Sequence, residues 1–129
     1  MKFVMLTISS LFLFGCTIPS EAIDPLGRNL SLNKIYQGNA TWYSSGRYTA
    51  NGERFDPNKL SVAHRTLPFG TILKLTNPEN GNSIKAVVND RGPFTKGKDI
   101  DVSRGGAEAL GFHKKGTTRL HIEVIKQPH

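Results

Sequence analysis

A chain of 129 residues with a formal net charge of +7 allows one modest domain and a basic surface that attracts polyanions. The basic residues are scattered and no nucleic-acid motif accompanies them, so nucleic acid is not expected as a partner. The single cysteine excludes an intrachain disulfide and argues against a cysteine zinc cluster or a cysteine nucleophile.

Met1-Lys2 is a minimal positive start, and Phe3 to Phe14 is largely apolar. That run is too short for a membrane-spanning helix, which needs about 20 residues, and suits a signal-peptide apolar region. Leu13-Phe14-Gly15-Cys16 then reads as a lipobox, with Phe14 in place of the usual small or aliphatic residue. Residues 1–15 are therefore expected to be a lipoprotein signal peptide. Cys16 is expected to carry lipid and to hold the mature chain on a membrane outside the cytoplasm. Residues 16–34 contain Pro19, Pro25 and Gly27 with no sustained apolar period, and read as a flexible tether. Residues 35–129 must supply the whole core.

Tyr36 to Tyr43 predicts a first strand, with Ala40 and Trp42 on one face and Thr41 and Tyr43 on the other. Part of Pro57 to His64 reads as a short helix. Gly70-Thr71 introduces a strand at Ile72 to Thr76, Asn80-Gly81 marks a hairpin turn, and Ser83 to Val88 returns as its partner. A second short helix is expected from about Ser103, whose hydroxyl can cap it, to just before Gly111. Gly105-Gly106 weighs against it, at about 1 kcal/mol for each glycine inside a helix. Arg119 to Ile125 alternates Leu120, Ile122 and Val124 with Arg119, His121 and Glu123. Gly116-Thr117 repeats the Gly70-Thr71 opening, a faint echo of two related halves. Many short strands, little helix and glycine-rich turns predict a mainly β domain built as a small closed barrel.

Three islands carry the chemistry: Thr49-Ala50-Asn51-Gly52-Glu53-Arg54-Phe55, Ala63-His64-Arg65-Thr66-Leu67-Pro68-Phe69-Gly70-Thr71 and Val87-Val88-Asn89-Asp90-Arg91-Gly92-Pro93-Phe94. Each sets one proton-transfer candidate beside glycine or proline, at a turn that can aim it into a cleft. Asp90, at the exit of an apolar strand, is either a turn aspartate bonding backbone N–H groups or a general acid. A general acid must hold its proton near neutral pH, against about 3.9 for a free aspartate. Glu53 is either a solvated surface glutamate or a partner in that chemistry, and His64 is either structural or catalytic. Asp99 and Asp101 share a face if their segment is extended, and no further ligand pattern supports a metal there. Trp42, Tyr43, Phe55, Phe69 and Phe94 supply apolar faces, most for the core and one or two for stacking on sugar rings.

Taken in order, Gly38-Asn39-Ala40-Thr41-Trp42-Tyr43, Thr49-Ala50-Asn51-Gly52-Glu53, Ala63 to Thr71, Val88-Asn89-Asp90-Arg91-Gly92-Pro93-Phe94 and Ile100-Asp101-Val102-Ser103 closely resemble the rare lipoprotein A family. The likeness runs from about Gly38 to Val124. It implies a bacterial cell-envelope lipoprotein whose residues 35–129 form a six-stranded double-psi β-barrel with one or two short helices, distantly related to the barrels of expansins. It implies endolytic lytic transglycosylase activity, in which the MurNAc–GlcNAc β-1,4 bond of peptidoglycan is cleaved without water, leaving a 1,6-anhydro-MurNAc end. The alternative is a non-catalytic, expansin-like binder of peptidoglycan. The family's implicated polar residues fall on Glu53, His64 and Asp90, with Asp90 as the acid. Trp42, Tyr43, Asn89, Arg91 and Asp101 are expected to bind or position substrate, Arg91 either on a substrate carboxylate or as a brace for its loop. No metal or cofactor is expected. The expected partners are glycan strands, the membrane through the lipid on Cys16, and cell-division or wall-synthesis proteins. Many family members carry a C-terminal glycan-binding domain, and none is expected here.

Overall fold

The computed structural model describes Ala22–Ile23, Asn29–Leu30 and residues 35–128. The chain divides into two units, Met1–Ser31 and Leu32–His129. In the first, β1 (Ala22–Ile23) and β2 (Asn29–Leu30) pair antiparallel, within the stretch read as tether. The signal-peptide residues and Cys16 lie outside the described residues.

The second unit holds β3 (Ile35–Tyr43), β4 (Ser61–Ala63), β5 (Ile72–Thr76), β6 (Ser83–Asp90), β7 (Ile100–Ser103) and β8 (Thr118–Lys126). They close into one barrel in the order β3-β7-β4-β6-β5-β8. Two neighbouring pairs, β3 with β7 and β4 with β6, run parallel, and the others run antiparallel. This is the six-stranded barrel expected from the resemblance. The strands legible from alternation appear where they were predicted. Leu73 and Leu75 of β5 and Leu120 and Ile122 of β8 fill the interior with no exposure. The two Gly-Thr openings precede β5 and β8, which pair with each other.

One of the two expected helices is absent. Pro57 to His64 holds a turn, in which the Asp56 carboxylate accepts from Asn58 N at 2.9 Å, and then strand β4. Ser61, Val62 and Ala63 are all buried because β4 is wedged between β7 and β6 and covered on both faces. A strand buried on both faces shows no alternation, which is why the sequence did not reveal it.

The other helix, α1 (Arg104–Leu110), forms as predicted. Ser103 caps it: its Oγ accepts from Gly106 N at 3.2 Å and donates to Lys59 O at 2.6 Å. Gly111 ends it in the left-handed conformation at φ 79°. The two glycines serve close packing. A Cβ on Gly105 would lie 2.6 Å from the Asn58 carbonyl oxygen, and one on Gly106 would lie 2.5 Å from Val102 Cγ1. Asn77 and Asn80 of the β5–β6 turn donate to the Leu110 carbonyl, answering one of the acceptors that a helix end leaves open.

Candidate active site

The site lies on the face of the sheet opposite the core. Across four adjacent strands, Thr41, Asp101, Ala63 and Asp90 stand in one row: Thr41 is paired with Asp101, and Ala63 is paired with both Asp101 and Asp90. Strand spacing sets the two aspartate backbones roughly 10 Å apart, with only the small Ala63 between them. Their neighbours Val62, Val88 and Val102 point into the core without exposure.

A bulge puts Asp90 in this row. The β4–β6 register runs from Val62 opposite Val88 to Ala63 opposite Asp90, so Asn89 is surplus. In unbroken alternation Asp90 would share the core-facing side with Val88. The extra residue turns it to the cleft, as bulges beside functional sites commonly do.

Asp90 is held by two loops. Its Oδ1 accepts from Ala50 N, in the β3–β4 loop, and from Arg91 N, in the β6–β7 loop, both at 2.9 Å. Its Oδ2 is 3.4 Å from the Tyr43 hydroxyl. Burial, helped by Asp90 and Asp101, pushes the Tyr43 phenol far above its ordinary range, so it stays protonated and donates. Tyr43 stacks on Phe55 at 4.8 Å between ring centroids, so its ring packs beneath the loop and its hydroxyl serves the carboxylates.

Asp101 is half-buried, and desolvation raises its pKa, opposed by a 2.9 Å hydrogen bond from Thr41 Oγ1 and reinforced by the nearby Asp90 charge. Here two carboxyls on one face have different surroundings. One is tied to backbone amides, and desolvation raises the pKa of the other.

Glu53 stands on the exposed rim. Its loop is tied to β6 beside Asp90, where Asn51 N donates to Asn89 O at 3.2 Å. A hydrogen bond from Asn51 Nδ2 at 2.6 Å, and then Lys59 at 3.3 Å, hold its carboxyl below the ordinary range, so Glu53 is an ionised carboxylate.

His64 is placed beside the site, and among the described residues its ring nitrogens make no hydrogen bond to Asp90, Asp101 or Glu53. Its backbone N donates to Asp90 O, while its Nδ1 accepts from Thr66 N at 3.1 Å and Leu67 N at 3.0 Å. Burial, and then Arg65 and Arg91, lower its pKa, so the neutral imidazole ties the 65–67 turn. Arg91 takes the bracing role. It lies 3.8 Å over the Phe69 ring and donates to the His64 and Leu67 carbonyls at 3.2 and 2.9 Å.

Asn89 is buried, its Oδ1 without a partner among the described residues. Trp42 is not brought to this face. Strand alternation turns it away from Thr41 and Tyr43, and it packs against His113, 4.5 Å between rings, with Nε1 donating to the His113 carbonyl. Asp99 is occupied by Asn39 N at 2.8 Å and Arg65 at 3.6 Å.

Sequence reasoning missed Thr41 and Arg65. Arg65 Nη1 donates to Pro93 O at 2.8 Å and Lys98 O at 2.6 Å, clasping the β6–β7 loop. Thr41 was placed on the correct face by alternation, but its partner lies 60 residues away and left no local signal.

A family model described as lytic transglycolase matches residues 35–122. The probable endolytic peptidoglycan transglycosylase RlpA of Synechocystis is 48% identical over 99 residues, covering 74% of this chain and 31% of that protein. The endolytic peptidoglycan transglycosylase RlpA of Neisseria meningitidis serogroup B is 47% identical over 91 residues, covering 68% and 38%. The Rickettsia prowazekii protein of the same name is 46% identical over 117 residues, covering 78% and 37%. The chain thus spans about a third of the length of the curated relatives it matches. Among solved structures, the Streptomyces papain inhibitor superposes with a TM-score of 0.64 at 20% identity, covering 76% of this chain and all of that one. An expansin of Clavibacter michiganensis, in complex with cellohexaose, gives 0.59 at 20% identity over 74% of this chain and 52% of that one. Those two likenesses concern the fold alone, and they fit a double-psi β-barrel. With its barrel matched over residues 35–122, the chain belongs to the lytic transglycolase family, alongside the rare lipoprotein A proteins.

Proposed function

We propose that this domain is an endolytic lytic transglycosylase of bacterial peptidoglycan, with its cleavage centre at Asp90 and Asp101. The observation that carries the reading is the row Thr41–Asp101–Ala63–Asp90, which sets two differently held carboxyls on one face of a barrel of this family. The names of the relatives supply the substrate class, peptidoglycan.

The reaction breaks the bond between MurNAc C1 and the bridging oxygen. Asp101, whose pKa burial raises, donates its proton to that oxygen, and the GlcNAc end departs as an alcohol. Positive charge builds at C1, and the ionised Glu53 on the rim stabilises it. The C6 hydroxyl of the same sugar attacks C1 and gives its proton to Asp90, which Ala50 N, Arg91 N and the Tyr43 hydroxyl hold in place. Exchange with solvent then returns to Asp101 the proton it gave and takes from Asp90 the one it received. The nucleophile belongs to the substrate, so its effective concentration is high and no water need be placed. Asp90 alone was expected as the acid from the resemblance, and this proposal shares the proton transfers between Asp101 and Asp90. His64 and Arg91 act through the turn and loop that they brace.

The site of action in this reading is the cell envelope. Cys16 would carry the lipid that anchors the chain there, and cell-division or wall-synthesis proteins would be its neighbours. Mass spectrometry of sacculi digested with the purified protein tests the cleavage directly. New 1,6-anhydro-MurNAc ends are expected, and their absence on both whole sacculi and peptide-free glycan would leave the expansin-like binder, which the fold shared with a cellohexaose-bound expansin favours.

A further inference from the structure

Among the described residues, four large apolar side chains are exposed: Ile35, Tyr48, Leu60 and Phe94. The two aromatics occupy matching places. Tyr48, 65% exposed, lies on the β3–β4 loop, and Phe94, 82% exposed, on the β6–β7 loop. These are the two loops whose backbone amides, Ala50 N and Arg91 N, clasp the same oxygen of Asp90. Phe94 is four residues beyond Asp90, which limits their separation to about 14 Å even for a fully extended chain.

Neither aromatic sits on a slack segment. Arg65 grips the β6–β7 loop at Pro93 O and Lys98 O, Asp99 N donates to Asn39 O, and Gly92 and Pro93 beneath Phe94 are buried. The Tyr48 loop is closed by the Tyr48–Arg54 bridge and by Phe55 N donating to Arg47 O at 3.1 Å. Phe55 then stacks on Tyr43, whose hydroxyl reaches Asp90. Leaving a phenylalanine in water forgoes the gain of burying it, and holding it there on a braced loop prepares a surface without later ordering cost.

We infer that Phe94 and Tyr48 are two stacking platforms that seat pyranose rings of one glycan strand on either side of the Asp90–Asp101 pair. This deepens the proposed function and rests on it for the identity of the strand. Aromatic faces complement the CH faces of a pyranose, and two platforms flanking the carboxyls would align the strand so that an interior bond lies over the row.

Equilibrium binding of peptide-free glycan strands to Phe94→Ala, Tyr48→Ala and the double variant, with a melting curve for each, tests the assignment. Each single change should weaken binding about two- to tenfold and the double change more, with Tm unaltered because both side chains are exposed. Phe94→Trp and Tyr48→Phe should keep wild-type affinity, since the platform is the ring and not the hydroxyl. Alanine variants that bind as tightly as wild type, or whose loss of binding tracks a fall in Tm, would overturn the assignment. Anhydro-end release by the wild type is measured alongside. Ring-dependent binding without any release sinks the cleavage reading and leaves the platforms standing, whereas normal release with unchanged binding in the alanine variants sinks the platforms alone.

Discussion

The barrel interior and the cleft are made from the same strands at adjacent positions. Val62, Val88 and Val102 face inward with no exposure, while Ala63, Asp90 and Asp101 face the cleft. The inward set fixes register, because a one-residue slip would turn every apolar side chain outward. Once register is fixed, the outward set has no choice of place. Stability and chemistry are thus separated by alternation on a shared backbone, and the Asn89 bulge breaks that alternation on β6 to bring Asp90 into the row with Asp101.

The comparison makes different demands of each face, and the largest effects belong to the cleft. Asp90→Asn keeps the size of the side chain and one acceptor for the two loop amides, but removes the carboxylate that takes the C6 proton in the proposed reaction. Cleavage should fall by about 10²- to 10⁴-fold, with a folded barrel in the melting curve. A variant that loses activity only in proportion to its unfolded fraction would show Asp90 to be a turn residue.

An intermediate effect is expected where the structure is tightest. Gly105→Ala would set a Cβ 2.6 Å from the Asn58 carbonyl oxygen, and backbone cannot yield as a side chain can. A loss of about 1–3 kcal/mol is expected by denaturant unfolding, although alanine is the better helix former. A gain in stability would mean that helix propensity outweighs packing at this place.

The smallest effect is a pH signature of Asp101. Burial raises its pKa, so the folded chain holds that proton more tightly than the unfolded chain. No penalty exists below the ordinary aspartate range. It grows as pH rises through the window between the ordinary value and the raised one, and is constant above. Asp101→Asn has no such window, so its Tm relative to wild type should rise from acid to neutral pH, by little because Asp101 is only half-buried. A difference that stays flat across that range would remove the burial argument.

Much of this was legible in the sequence. The alternation in β8 and β5, the Asn80-Gly81 turn and the Ser103 cap are local signals, and the structure follows them. β4 and β7 were not legible as strands. Three buried residues and four nearly buried ones carry no period, and their partners are supplied by distant parts of the chain. The site divides in the same way. Asp90, Glu53 and His64 stand out beside turns. The pairing of Thr41 with Asp101 and of Asp101 with Asp90 across Ala63 follows from parallel strands and a bulge, which neither spacing nor composition encodes. Trp42 and Tyr43 drew equal attention as aromatics, and alternation gave them opposite faces: one braces His113, and the other reaches Asp90.

In the proposed reaction Asp101 supplies the proton that breaks the glycosidic bond. That role is tested most directly by the rate at which folded Asp101→Asn releases 1,6-anhydro-MurNAc ends from whole sacculi and from peptide-free glycan, beside the wild type. A fall of about 10²- to 10⁴-fold on both substrates is expected, with Tm at or above wild type at neutral pH. A folded Asp101→Asn chain that releases anhydro ends at the wild-type rate would contradict it.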